Sequence, residues 1–211
     1  MNTNNTTMQH SIRALLIVFA LIPCASFGQN WGVGFRLGDL SGLTLKKYSG
    51  GHAFEFSIGR ANTFVGNNFY YNSYARWYDD KHFGYKDHEF LDYRATTPLG
   101  IQFHYLVQKN VKGATGLDWY YGIGAQLRWQ QYRFDYRYKW DNGNGNEDKW
   151  IYVYDEHVTE TDLGIDGVLG LEYKFNDAPV SVFLDGTLFM EVVDDPFVFW
   201  PQIGVGARFR F

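Results

Sequence analysis

The chain has 211 residues, a formal net charge of −4, 19% aromatic residues and a mean hydropathy of −0.33. That charge leaves no footprint for nucleic acid. The polar average excludes a bundle of membrane helices, each of which needs roughly 20 consecutive apolar residues. The length suits one domain.

The first element is an export signal. In SIRALLIVFALIPCASFGQN, Arg13 precedes an apolar run from Ala14 to Ile22, and Ser26-Phe27-Gly28 follows as a small-residue cleavage site. Residues 1–28 therefore read as a cleaved signal peptide and 29–211 as the mature domain. An uncleaved anchor helix is disfavoured because the run is short and Pro23 interrupts it. A lipid-modified Cys24 is disfavoured by that same proline. Cys24 is the chain's one cysteine, so cleavage leaves no thiol or disulfide in the mature domain.

Period-two alternation then runs through the sequence. It is imperfect over 31–37, 53–60 and 69–78, and clear over 98–107, 117–129, 163–175, 180–190 and 201–211. On 117–129 one face carries Leu117, Trp119, Tyr121, Ile123, Leu127 and Trp129, while the other carries Asp118, Gly122, Gly124, Gln126 and Arg128. Eight strands and no helix are expected. In RLGDLSGLTLKKY, Leu37, Leu43 and Leu45 keep one phase but Asp39 and Ser41 break it. A bend framed by Gly38 and Gly42 is expected there rather than a further strand. The connections ANTFVGNN, QKNVKGATG and NDAP are short, whereas 79–97 and 131–161 are long and polar. The second long segment reads as a protruding hairpin with its tip at DNGNGNED.

The last segment, PQIGVGARFRF, alternates Ile203, Val205, Ala207, Phe209 and Phe211 with Gly, Gln and Arg. Together with the export signal and the alternating loop lengths, it resembles the small outer-membrane β-barrels of Gram-negative bacteria. The resemblance covers 30–211 and implies an eight-stranded antiparallel transmembrane barrel, porin-like in outline, with short periplasmic turns and long extracellular loops. It also implies that Ile203, Val205, Phe209 and Phe211 form the signal read by the barrel-assembly machinery. The physical reading agrees. A sheet spans a bilayer only when closed, because every backbone group needs an internal partner. A soluble sandwich or lipocalin-like barrel would turn its apolar face inward, yet here the dense apolar face opposes one of Gly, Gln, Asp and Arg.

The inward phase holds Arg36, Arg76, Arg128, Lys174, Arg208 and Arg210 against Glu55, Asp118, Asp166, Glu172 and Asp185. Such balance favours a cross-linked polar plug over a conducting pore, which would show a ring of one sign. Placing Asp118 opposite Glu172 puts Gly124 opposite Asp166, Gln126 opposite Gly164 and Arg128 opposite Asp162. Arg128 and Asp162 are then a salt bridge, and Asp118 and Glu172 need a shared cation from Lys174, Arg208 or Arg210. Carried upward, the same register pairs Tyr136 with Tyr154, Tyr138 with Tyr152 and Trp140 with Trp150. These aromatics either stiffen the ribbon or offer a surface to an extracellular saccharide or protein. Beyond Trp129 the outward phase becomes Gln131, Arg133, Asp135, Arg137 and Lys139, cations that either face solvent or meet lipopolysaccharide phosphates.

Chemistry-bearing groups are sparse. His82, Asp87, His88 and Glu89 read as a solvated loop, and DNGNGNED lacks calcium-loop spacing. His104 has no serine in the H-x-S arrangement of outer-membrane lipid A deacylases. No catalytic set, cofactor or metal is expected. The reading is an integral outer-membrane barrel in contact with lipid and lipopolysaccharide, with a structural or adhesive role through its loops. The alternatives are a lipid A-modifying enzyme and a small gated pore.

Overall fold

The computed structural model describes residues 30–62, 67–81, 87–140, 149–193 and 197–211. The segment expected to be an export signal, with Cys24, as well as His82 and the expected hairpin tip at 141–148, lie outside the described residues. Among the described residues nine strands and one helix follow in order: β1 (Trp31–Gly38), β2 (Ser41–Ser49), β3 (His52–Arg60), α1 (Asn67–Lys81), β4 (His88–Ala95), β5 (Leu99–Asn110), β6 (Leu117–Trp140), β7 (Lys149–Lys174), β8 (Val180–Val193) and β9 (Phe199–Arg210). Eight of the strands close a ring in the order β1-β2-β3-β5-β6-β7-β8-β9, every neighbouring pair antiparallel. The seam pairs Val33 with Phe209 and Phe35 with Ala207. The protein is therefore an eight-stranded antiparallel β-barrel.

Two expected elements exchange roles. Segment 69–78 is not a strand but part of α1, and 41–49 is not a bend but strand β2. In α1 the aromatics Tyr70, Tyr74, Trp77 and Tyr78 recur at helical spacing, and Tyr74 and Tyr78 are buried. In β2 the interruption at Asp39 and Ser41 is the turn itself. Gly38 takes φ +132°, and Ser41 Oγ donates to its carbonyl (2.6 Å) and accepts from its N–H (3.0 Å). Leu43 and Leu45 then point outward while Thr44 and Lys46 point inward.

The burial pattern is inside-out. Ile123 is 72% and Leu169 61% exposed on the outer wall, while Glu172 at 0% and Arg208 at 1% are sealed within. The turns at 50–51, 111–116 and 175–179 lie at one end of the barrel, and the long connection 61–98 lies at the other. ANTFVGNN belongs to that long connection and is not a short turn.

At the long-loop end β6 and β7 run past their neighbours, at 24 and 26 residues against 12 for β5. The expected polar loop 79–97 contains β4, which pairs with the upper half of β6 outside the ring. A three-stranded sheet β4-β6-β7 thus stands above the barrel, with α1 packed on one face. We call this assembly the cap.

Candidate functional site

The lumen is filled by side chains from opposite walls. Toward the short-turn end, Glu172 of β7 accepts from Lys46 Nζ (2.8 Å), Tyr48 Oη (2.5 Å), Ser181 Oγ (2.9 Å) and Gln108 Nε2 (3.0 Å). Arg208 lies 2.8 Å from Glu55 and 3.6 Å from Glu172. Farther along, Arg36 meets Asp185 at 2.6 Å and His104 meets Asp166 at 3.0 Å. Gln102 donates to Gln126 (2.9 Å) and Gln202 (3.2 Å), a crossbar between β5, β6 and β9. Gly204 makes room for Arg36, since a Cβ there would stand 2.3 Å from the guanidinium carbon. Paired and hydrogen-bonded in this way, buried charges avoid the large cost of desolvation.

Most expected interior residues are here, with four differences. Asp118 and Glu172 do face each other, but they share no cation: Lys174 holds Asp118 at 2.7 Å, while Lys46 and Arg208 hold Glu172. Arg128 stands opposite half-buried Asp162 as expected. Its guanidinium, however, donates to Asn62 Oδ1 (3.0 Å) and lies 4.4 Å over the Phe189 ring. Arg210 leaves the lumen and caps the β7–β8 turn by donating to the carbonyls of Phe175 (2.9 Å) and Ala178 (3.4 Å). Arg76, on α1, pairs with Glu160 (3.4 Å) instead of joining the interior. Lys46 and Tyr48 were missed because β2 was; the shared phase of Leu43 and Leu45 was the available signal.

The cap has its own core: Tyr74 and Tyr78 of α1 packed on Tyr132, Phe134 and Tyr136 of β6. His88, expected in solvent, stacks on Tyr78 at 3.9 Å between centroids and shares a 3.1 Å hydrogen bond with the Tyr74 hydroxyl. Burial, then the Glu156 carboxylate, pushes the Tyr136 phenol up to about 12.

The expected β6–β7 register holds from Asp118–Glu172 to Phe134–Glu156 and then slips. Asp155 adopts φ +60°, its N–H donates to Asp135 Oδ1 (2.7 Å), and the strand gains a residue. Tyr136 therefore faces Val153, Tyr138 faces Ile151 and Trp140 faces Lys149. The expected pairs with Tyr154, Tyr152 and Trp150 do not form. Those three rings emerge on the outer face beside Arg137, whose guanidinium lies 4.5 Å over Trp150 and donates to the Tyr152 hydroxyl at 2.9 Å.

The outer-face cations already face carboxylates. Arg133 meets Asp155 (3.4 Å), Arg94 meets Asp155 (3.1 Å) and Asp135 (3.3 Å), Lys139 meets Asp87 (3.2 Å), and Arg137 pairs with Glu89. Desolvation is the largest single influence on the Asp155 carboxyl and works to raise it, yet Arg133, Arg94 and His157 together hold it below its ordinary value. Between α1 and the upper part of β7 lies a cavity of about 290 Å³, walled by Trp77, Tyr132, Phe134 and Val158 with Arg76 and Glu160 at its polar side.

No family model matches the sequence, and no curated protein does. Among solved structures, the chain is similar to the N-terminal β-barrel domain of Pseudomonas aeruginosa OprF, at 12% identity and TM-score 0.49 over 88% of this chain and 100% of that one. It is also similar to Neisserial surface protein A, at 10% identity and TM-score 0.39 over 86% and 93%.

Proposed function

We propose that this chain is an integral outer-membrane protein that acts at the cell surface, binding other molecules through its cap. The observation that carries this reading is the inside-out burial: an apolar outer wall around a lumen of paired charges. Such a wall is stable only against lipid, and a closed sheet is what a bilayer tolerates. The crossed lumen disfavours conduction. His104, enclosed with Asp166, is out of reach of any lipid substrate, which disfavours lipid A chemistry. Phe211, ring-stacked near Phe209 and bonded to Trp31 through both backbone groups, suits a terminal signal for the assembly machinery.

The test is fractionation of expressing cells, combined with maleimide labelling of Tyr154→Cys on intact cells. Recovery in the outer membrane with surface labelling supports the reading. A soluble periplasmic product, discrete conductance steps in planar bilayers, or release of acyl chains from labelled lipid A by refolded protein would each overturn part of it.

A further inference from the structure

On the reading that the cap faces the exterior, we infer that the free edge of β7 between Trp150 and Tyr154 is a docking site for an extended strand of another protein. From Leu163 onward β7 is paired on both sides, to β6 and to β8. From Lys149 to Asp162 it pairs with β6 alone, and among the described residues no strand covers its other edge. Alternate backbone N–H and C=O groups there face outward at the repeat of a β-ladder. Groups at that repeat recognise another backbone, not a sugar or a lipid headgroup.

Free edges are normally blunted by charge, brevity or a bulge. The free edge of β4 uses two of these: it carries Glu89, Asp92 and Arg94, and it shifts register after Phe90. The upper edge of β7 is different. Residues 150–154 read WIYVY, with no charge, proline or glycine; Val153 packs on the cap core, while the other four side chains are open, from 37% for Trp150 to 65% for Tyr154. The bulge at Asp155 lies just below and separates this stretch from the charged residues that follow.

The cavity between α1 and Val158 supplies a second, independent feature. A strand laid along this edge and continued toward the barrel would pass it and could place one side chain against Trp77. Backbone pairing for affinity beside a pocket for specificity is the division of labour of strand addition. A second copy of this chain is a poor occupant. Copies in one membrane stand with the same end up, so their β7 edges run parallel, and the slightly more stable antiparallel pairing is closed to them.

The test uses full-length protein refolded into lipid nanodiscs and a fluorescein-labelled peptide of residues 131–140, the sequence that pairs with the opposite edge of β7. Anisotropy should report binding, and amide exchange at 150–154 should slow on addition of the peptide. Methylating alternate peptide nitrogens should weaken binding by about tenfold or more, as should the edge-blunting variant Ile151→Lys/Tyr154→Lys. Unchanged heat-modifiable mobility of that variant shows that it has folded. Equal binding by the methylated peptide or by the variant, exchange protection at β4 instead of β7, or self-association through this edge would each overturn the inference. Because purified protein is used, failure here leaves the membrane location standing, and fractionation tests that separately.

Discussion

Asp118 and Glu172 face each other across β6 and β7 and are neutralised separately, by Lys174 at 2.7 Å and by Lys46 at 2.8 Å. The two cations differ in setting, because Lys46 is sealed in the lumen and Lys174 reaches the mouth at 27% exposure. Lys46→Met leaves a buried carboxylate short of its nearest cation and is expected to cost about 3–5 kcal/mol. Lys174→Met should cost clearly less, since water replaces the lost partner. Urea unfolding in lipid vesicles measures both, and equal losses would mean that water screens the lumen throughout.

Position along the outer wall sets the next outcome. Leu169 lies well inside the apolar band of β7, whereas Leu163 lies level with Leu127, one pleat below Trp129, beyond which the outer face turns polar and charged. Leu169→Lys should destabilise the barrel by about 2–4 kcal/mol and Leu163→Lys by about 0–1 kcal/mol. Comparable penalties at the two sites would place the membrane band elsewhere on the barrel.

The cap should loosen in alkali. The Tyr136 phenol has its pKa raised from 10.0 to about 12, so the neutral form is favoured by folding. Its stabilising contribution is fully present below the unfolded value and is lost as pH rises through about 12. Near-ultraviolet dichroism and tyrosinate absorbance should change together in that window. Tyr136→Phe should remove part of the step, and an unchanged profile would show that water reaches the phenol.

Acid should act on the other face. Asp155, raised by desolvation but held below 3.8 by the combined pull of Arg133, Arg94 and His157, stabilises the bulge above the ordinary carboxylate range and ceases to as pH falls through its lowered value. Asp155→Asn should make proteolytic cleavage of the ribbon independent of pH in that range. A wild-type ribbon equally resistant on both sides of the window would remove Asp155 as the lock.

Replacing Phe211 tests closure and targeting at once. Its N–H and C=O bond to Trp31 at 2.9 and 3.0 Å. Phe211→Lys keeps those bonds and removes the aromatic ring, so a loss of outer-membrane assembly in cells with normal refolding in detergent would assign the ring to recognition. Normal assembly would mean that recognition lies elsewhere.

The ring of eight was legible because period-two alternation survives wherever one wall meets lipid and the other meets charge. The register of β6 on β7 was legible for the same reason, since a slip there would turn Arg128 and Asp118 outward. Above Trp129 that constraint ends, and the slip at Asp155 left no glycine or proline to mark it. α1 was misread because its tyrosines and tryptophan favour strands locally, and only packing against Tyr132, Phe134 and Tyr136 selects the helix. Lys46 is hidden in the sequence because Asp39 and Ser41 look like a flaw in one strand but form the turn between two.

The seam between Val33 and Phe209 joins residues from opposite ends of the sequence. Its formation waits on every strand between them, so the topology is dominated by distant contacts and assembly is intrinsically slow. No subset of the strands can close by itself. On the proposed outer-membrane location, the polypeptide reaches the bilayer with its aromatic segments still open to one another, so its yield rests on how quickly the ring closes in the membrane rather than on the stability of any part of it.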